Sequence, residues 1–534
     1  MKTKEIIFCT ALIIISIVAI EACETYYFRS NYKEANELLH DTKNIGAKPF
    51  LKAHFKNGDV CILRNTWKVD TVQNTVSGTG TLYDFNREIT FQGNVDISID
   101  SVAIFETNKK ISGTETGRLA GMYILAGVDV AIGVYCITNP KACFGSCPTF
   151  YKNENDNFHF ADAEGFSSAI SPSMEYADID ALNNRLLTDH EFSITMKNEA
   201  LETHCVRDVK LLAYPRKDGE RIYHSAGDDF YLCENIYPVS NATGTEGDIT
   251  DLIRNEDMLE RFSSSDENNL SSKEEIILNF DNAGKNINPG LVIHFRQTLM
   301  TTYFIYSAMG YMGDEIGDFF AEIEVSKETV NKLNGGIKKE LGGIDVYVWN
   351  ENKSKWYKSG SLFETGPIAV NKQLLPLKNN TDSSNIRVKL VLNKGLWRID
   401  YAALTNIKGK VKPLEISPNL ILNKGKADDA ALALINDPGK LLISMPGSEY
   451  KFYFNLHQQN KDYELFLYSK GYYLEWMREQ WIKDKDLLKL NQMIEHPLNF
   501  LRSEAKDYKI YEATMEKEFW NSKIDTKNFS YHEN

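Results

Sequence analysis

Ile344-Asp345-Val346-Tyr347-Val348-Trp349, Ile386-Arg387-Val388-Lys389-Leu390 and Leu396-Trp397-Arg398-Ile399-Asp400-Tyr401 are the runs whose reading decides the fold class. In each, apolar or aromatic side chains recur at every second position, the period that returns a strand's side chains to one face. A hairpin through Lys353 to Trp356 is expected after the first run. Towards the N-terminus, Val95-Asp96-Ile97-Ser98-Ile99 repeats the pattern, punctuated by turn residues at Asn57-Gly58-Asp59, Gly78-Thr79-Gly80 and Gln92-Gly93-Asn94. Phe150-Tyr151-Lys152, the turn-prone Asn153 to Asn157 and Phe158-His159-Phe160 read as a further hairpin. Aromatic residues make up 11% of the chain, mostly Tyr and Phe, which suits half-buried pleated faces. Helical spacing occurs at Tyr303 to Ile323, interrupted around Gly310 and Gly313, and in a C-terminal tail that Pro497 breaks. The expected fold class is mainly β and multi-domain, α+β overall.

At 534 residues the chain exceeds one ordinary hydrophobic core. Composition divides it into a leader at 1–22, a polar tether at 23–46 and a small β barrel or sandwich at 47–110. An apolar, Gly-rich segment with a cysteine motif fills 111–147, a second β domain 148–240, and a polar linker 241–273. A β-sandwich with a helix inserted at about 303–323 covers 274–456, and a mostly helical region closes the chain at 457–534. The strand order from Ile344 to Tyr401 resembles galactose-binding-like jelly-roll sandwiches.

Lys2 and Lys4 precede an apolar run from Ile6 to Ile20, short for a membrane-spanning helix and suited to a signal peptide. Ile20-Glu21-Ala22-Cys23 resembles the lipobox of bacterial lipoproteins, Glu21 departing from the usual small or apolar residue. The resemblance implies lipid attachment at Cys23 and an exported protein anchored to a membrane, expected to be the outer membrane. An ordinary cleaved secretory protein and an uncleaved N-terminal anchor are the alternatives. Leu119 to Thr138 is long enough to span a bilayer. Asp129 at its centre costs roughly 2.5–3.5 kcal/mol on insertion, which favours a buried or interfacial segment. Sixty basic residues against 74 acidic ones give a net charge of −14, so no nucleic-acid partner is expected.

Export permits disulfides among Cys61, Cys136, Cys143, Cys147, Cys205 and Cys233, with no pairing determined. The sharpest motif is Cys143-Phe144-Gly145-Ser146-Cys147-Pro148, read first as a structural disulfide closing a tight loop. Two thiolates at that spacing could instead bind Cu(I) or act as a redox pair, and C-x-x-x-C-P resembles copper-delivery proteins of thioredoxin fold. There the second cysteine enters a helix, whereas here a hairpin is expected. Cys136, Cys205 and Cys233, with His204, are the distal disulfide or metal candidates. Asp162, Glu164, Glu175, Asp178 and Asp180 read as a solvated acidic loop, with calcium binding or a glycosidase pair as lesser alternatives. His294 reads as a core histidine. Trp349, Trp356 and Trp397 form a candidate sugar-stacking platform, against packing as the plainer reading. No H-E-x-x-H, G-x-S-x-G or P-loop occurs.

CFGSCPTFY, ADAEGFSSAISPSMEYADIDAL, ETHCVRDVKLLAY, HFRQTLMTTYFIY, LWRIDYAAL and SKGYYLEWMREQWI together resemble a set of uncharacterised Gram-negative cell-envelope lipoproteins. The likeness runs over most of residues 45–520 and implies location and architecture, not chemistry. The expected function is a non-catalytic binding or structural envelope lipoprotein with a protein or glycan partner and no cofactor. A periplasmic thiol-redox or copper-handling protein using Cys143 and Cys147 is the alternative.

Overall fold

The alternating runs form strands: Ile344–Asn350, Ile386–Asn393 and Trp397–Val411. The computed structural model describes residues 25–31, 51–112, 147–325 and 336–526, with short breaks of which the longest are 153–159, 379–383 and 476–483. Cys23, Cys136, Cys143, the Cys143–Cys147 pairing and the Leu119–Thr138 segment lie outside the described residues. No helix among the described residues is long and apolar enough to cross a membrane. The protein is mainly β, with five sheets among the described residues.

The first unit is a seven-stranded antiparallel sheet. Its core is Leu51, Ala53, Leu63, Trp67, Val76, Ile97 and Phe105. Thr25–Asn31 belongs to it, pairing with Val102–Ser112, so part of the expected tether is an edge strand. Buried polar residues fasten this unit to the rest. Lys52 Nζ lies 3.3 Å from Glu324 Oε1, both side chains fully enclosed, and His54 stacks on Tyr472.

Beyond residue 147 the chain order and the spatial order part company. One pair of sheets takes strands from both ends of this region. The first is built on Glu202–Pro215, Lys461–Glu475 and Tyr176–Leu182, the second on Glu191–Lys197, Glu449–Asn455 and Thr149–Tyr151. Lys461–Glu475 pairs along nearly the whole of Glu202–Pro215. The expected helical region therefore begins with a long central strand.

Between these halves sits an inserted sandwich running from about Glu220 to Val411. One of its sheets closes on itself through Phe230–Pro238, Glu220–His224, Asn371–Pro376, Pro289–Gln297 and Trp397–Val411. The other takes Asn241–Gly244, Lys273–Phe280, Ile386–Asn393, Ile344–Asn350 and Lys355–Leu362. Strands at 420–423 and 449–455, assigned from sequence to the same sandwich, join the outer pair of sheets instead. One core runs without interruption from Cys147 to Phe519.

The α-helices among the described residues are α1 (Thr250–Ile253), α2 (Met300–Met312), α3 (Ile316–Val325), α4 (Ile337–Leu341), α5 (Asp429–Ile435), α6 (Leu487–Glu495), α7 (Pro497–Ser503), α8 (Ala505–Glu512) and α9 (Met515–Ser522). α2 ends at Gly313, whose φ of +56° suits glycine, and a Cβ there would sit 2.5 Å from Lys485 Cβ. Asp486 caps α6 by accepting from Leu488 N and Lys489 N, and Pro497 starts α7 as its first residue.

Residues 241–273 are not a linker. Their polar side chains are spent internally: Arg261 is fully buried and binds both Glu274 oxygens at 2.6 and 2.7 Å, and Glu246 as well. Ser265 N donates to Glu512 on α8 at 2.5 Å, and Lys509 returns a bond to Ser265 O. A segment poor in apolar residues is thereby held against the C-terminal helices by charge-assisted bonds.

Candidate functional site

α2 and the elements around it leave a gap between them. α2 supplies Phe304, Ile305, Ala308, Met309 and Met312 to one wall of a cavity of about 470 Å³. Phe320 and Ile323 of α3 and Leu490, Met493 and Ile494 of α6 line it as well. Leu396 and Trp397 line it from the sheet side, and Ile337 and Leu341 of α4 complete it. Polar groups are few, and two of them satisfy each other, since Thr301 Oγ1 donates to Gln297 Oε1 at 2.8 Å. Small-molecule sites typically enclose roughly 300–1,000 Å³ with mainly apolar walls and a few convergent polar groups. Methionine side chains, here Met174, Met309, Met312 and Met493, adapt their shape to what they enclose. Of these residues only Trp397 was a sequence candidate. The readable signal for the rest was the mixed apolar spacing of Tyr303 to Ile323, which shows a helix but not a hollow beside it.

Trp397 is 2% exposed and packs at 5.7 Å from the Phe295 ring. It therefore leaves the sugar-stacking platform proposed from sequence, because it points into the core while Trp349 and Trp356 lie on another sheet. Those two face each other across Ile344–Asn350 and Lys355–Leu362, their rings 5.2 Å apart and inclined at 64°. The Arg387 guanidinium lies 5.3 and 5.7 Å from their ring centres, so cations already occupy part of this face.

The acidic stretch expected to be a solvated loop is partly buried, with Glu164 and Asp180 enclosed and Asp162, Glu175 and Asp178 half-buried. Glu164 is 4% exposed. Its Oε2 accepts from Ile368 N at 2.6 Å and Ala369 N at 3.2 Å, and its Oε1 from the Cys147 thiol at 3.0 Å. Asp180 Oδ2 accepts from Glu164 N at 3.1 Å, and Glu175 makes two bonds with Arg207. A Cβ on Gly366 would lie 2.2 Å from the Glu164 carboxyl, so only glycine lets that loop approach. Burial raises the Glu164 pKa to about 7, and the three hydrogen bonds only partly offset this. Cys147 is pushed well above the usual thiol range, first by burial and then by Glu164. The pair holds a neutral thiol, the opposite of what a nucleophile, redox centre or copper ligand needs.

Cys61, Cys205 and Cys233 are buried like Cys147, and among the described residues no disulfide joins any two of these four cysteines. Cys205 lies in the central strand Glu202–Pro215, and Cys233 packs with Val292, Leu374 and Ile407 in the closed sheet. Each occupies a small apolar core position. The first strand of the hairpin expected at 150–160 is present as Thr149–Tyr151 and pairs antiparallel with Ala163–Glu164, while residues 153–159 of that expectation lie outside the described residues. His294 is buried in Pro289–Gln297 beside Tyr401, and burial holds it neutral, well below the usual histidine range. No cluster among the described residues has the make-up of a metal site.

No family model and no curated protein matches the chain. Among solved structures, BuGH86wt in complex with neoagarooctaose aligns at 7% identity and a TM-score of 0.17, over 44% of this chain and 34% of its own. The secreted serine protease VesC from Vibrio cholerae aligns at 9% identity and a TM-score of 0.12, over 46% of this chain and 52% of its own. Likenesses that slight carry no argument about fold or chemistry.

Proposed function

We propose that this is a non-catalytic cell-envelope lipoprotein, anchored through Cys23, that binds a small apolar ligand beneath α2. The observation that carries the reading is the cavity of about 470 Å³ walled by aliphatic, aromatic and methionine side chains. An apolar wall offers water few partners, so a fitting hydrocarbon replaces little favourable hydration there. Burying each methylene contributes about 0.8 kcal/mol, enough for a modest chain to bind without polar anchoring. The alternative of thiol or copper chemistry loses support from the protonated, enclosed Cys147. A protein or glycan partner at the Trp349–Trp356 face is a second reading, favoured by two half-exposed indoles on one sheet face.

The test is binding of diphenylhexatriene, a neutral apolar fluorophore, to the purified full-length protein. Saturable enhancement near one equivalent, abolished by Ala308→Phe, which fills the cavity, supports the reading. Absence of saturable binding, or binding indifferent to that substitution, overturns it. The anchor is tested separately, by incorporation of labelled palmitate that Cys23→Ser abolishes.

A further inference from the structure

The apolar cavity is not isolated. Lys338, Gly342 and Phe363 belong both to its wall and to that of a second, more open cleft of about 610 Å³. The character changes across that shared rim. The second cleft presents the amines of Lys273, Lys338, Lys339 and Lys358 against only two carboxylates, Glu340 and Asp345. Two of the lysines are already engaged. Lys273 donates to the Glu340 and Leu341 carbonyls, and Lys358 lies 2.8 Å from Asp345. Lys338 and Lys339 sit on α4 with exposed side chains, and neither ammonium has a hydrogen-bond or ion-pair partner among the described residues. α4 thus turns Ile337 and Leu341 to the hydrocarbon side, Lys338 to the shared rim and Lys339 to the charged cleft.

We infer that the ligand is an anionic amphiphile, its acyl chain in the cavity beneath α2 and its carboxylate or phosphate head at Lys338 and Lys339. This rests on the apolar-ligand reading above and adds the head group. Ammonium groups bind such heads as point charges through charge-assisted hydrogen bonds. Being exposed, each lysine contributes modestly, and the pair together accounts for about tenfold in affinity. A neutral lipid of the same chain length would fill the cavity but leave both cations facing only water.

The experiment uses 9,10-dibromostearate and its methyl ester, which share a chain and differ in head charge. Bromine quenches tryptophan fluorescence on contact, and Trp397 lines the cavity. Quenching is titrated on the full-length protein, on Lys338→Gln/Lys339→Gln, and on Trp397→Phe to identify the reporter. The expected result is that the acid binds about tenfold more tightly than the ester, that raised salt narrows the gap, and that acid and ester bind alike to the double variant. Equal binding of acid and ester, or a preference that survives the double variant, overturns the inference and leaves the apolar cavity standing. If neither probe quenches Trp397, the apolar-ligand reading itself fails.

Discussion

Glu164→Gln isolates the energetic consequence of burying a carboxyl that has no cationic hydrogen-bond partner among the described residues. In the folded protein burial keeps this group protonated up to about pH 7, whereas the usual value for the side chain is 4.5. At about 1.4 kcal/mol per pH unit, that gap corresponds to about 3 kcal/mol. The sign follows from proton binding. Between the two values the folded state keeps the proton and the unfolded chain has lost it. The contribution is therefore complete below about pH 4.5 and falls away as pH rises through about 7. Glutamine offers the same carbonyl oxygen to Ile368 N and Ala369 N but cannot ionise. Urea unfolding of wild type and variant, followed by tryptophan fluorescence between about pH 5 and pH 8, reads the difference. Wild type should lose about 2–3 kcal/mol relative to Glu164→Gln across that range. Glu164→Ala, which leaves two buried N–H donors unmatched, should be destabilised by about 2–6 kcal/mol at every pH. A wild-type-minus-glutamine difference that stays flat with pH would refute the argument that desolvation governs this carboxyl.

Trp397→Ala should destabilise the protein by about 3–5 kcal/mol, seen as a lowered thermal midpoint, while Trp349→Ala shifts it far less. Equal effects would mean the two indoles are not divided between core and surface. Lys52→Met removes the cation facing the enclosed Glu324 and should cost about 3–5 kcal/mol, with faster proteolytic separation of the N-terminal sheet. Pairing it with Glu324→Leu should restore much of that loss, and failure to do so would remove the ion pair as the cause. The Cys147 thiol should resist iodoacetamide in the native protein at pH 8 and react on unfolding, measured by mass spectrometry. Rapid native labelling would show an accessible thiolate and reopen the redox reading.

The strand class was readable from sequence because strand patterning is local. Alternation in Ile344 to Trp349 and Ile386 to Leu390 needs no knowledge of a partner. The helix at Tyr303 to Ile323 was equally local, and so were the breaks at Gly313 and Pro497. Partners are not local. Nothing near Glu202–Pro215 announces that its neighbour is Lys461–Glu475, or that an entire sandwich is looped out between them. The same limit governed the candidate residues. The acidic stretch from Asp162 to Asp180 looked solvated because its composition is polar, yet backbone amides at 368 and 369 arrive from the inserted unit to satisfy Glu164. Residues 241–273 looked like a linker for the same reason, and Arg261 and Glu274 show where the charges went. Trp397 was identified by type but misplaced by company. Sequence by itself determined the mainly β class and marked the most regular strands and the helical run at 303–323, since backbone sterics and apolar period act over a few residues. Thr25–Asn31 and Lys461–Glu475 were read as tether and helix and are strands. Only the tertiary structure decided which surfaces meet, which carboxyl loses its water and where α2, α3 and α6 fail to close, because each depends on side chains brought together from distant parts of the chain.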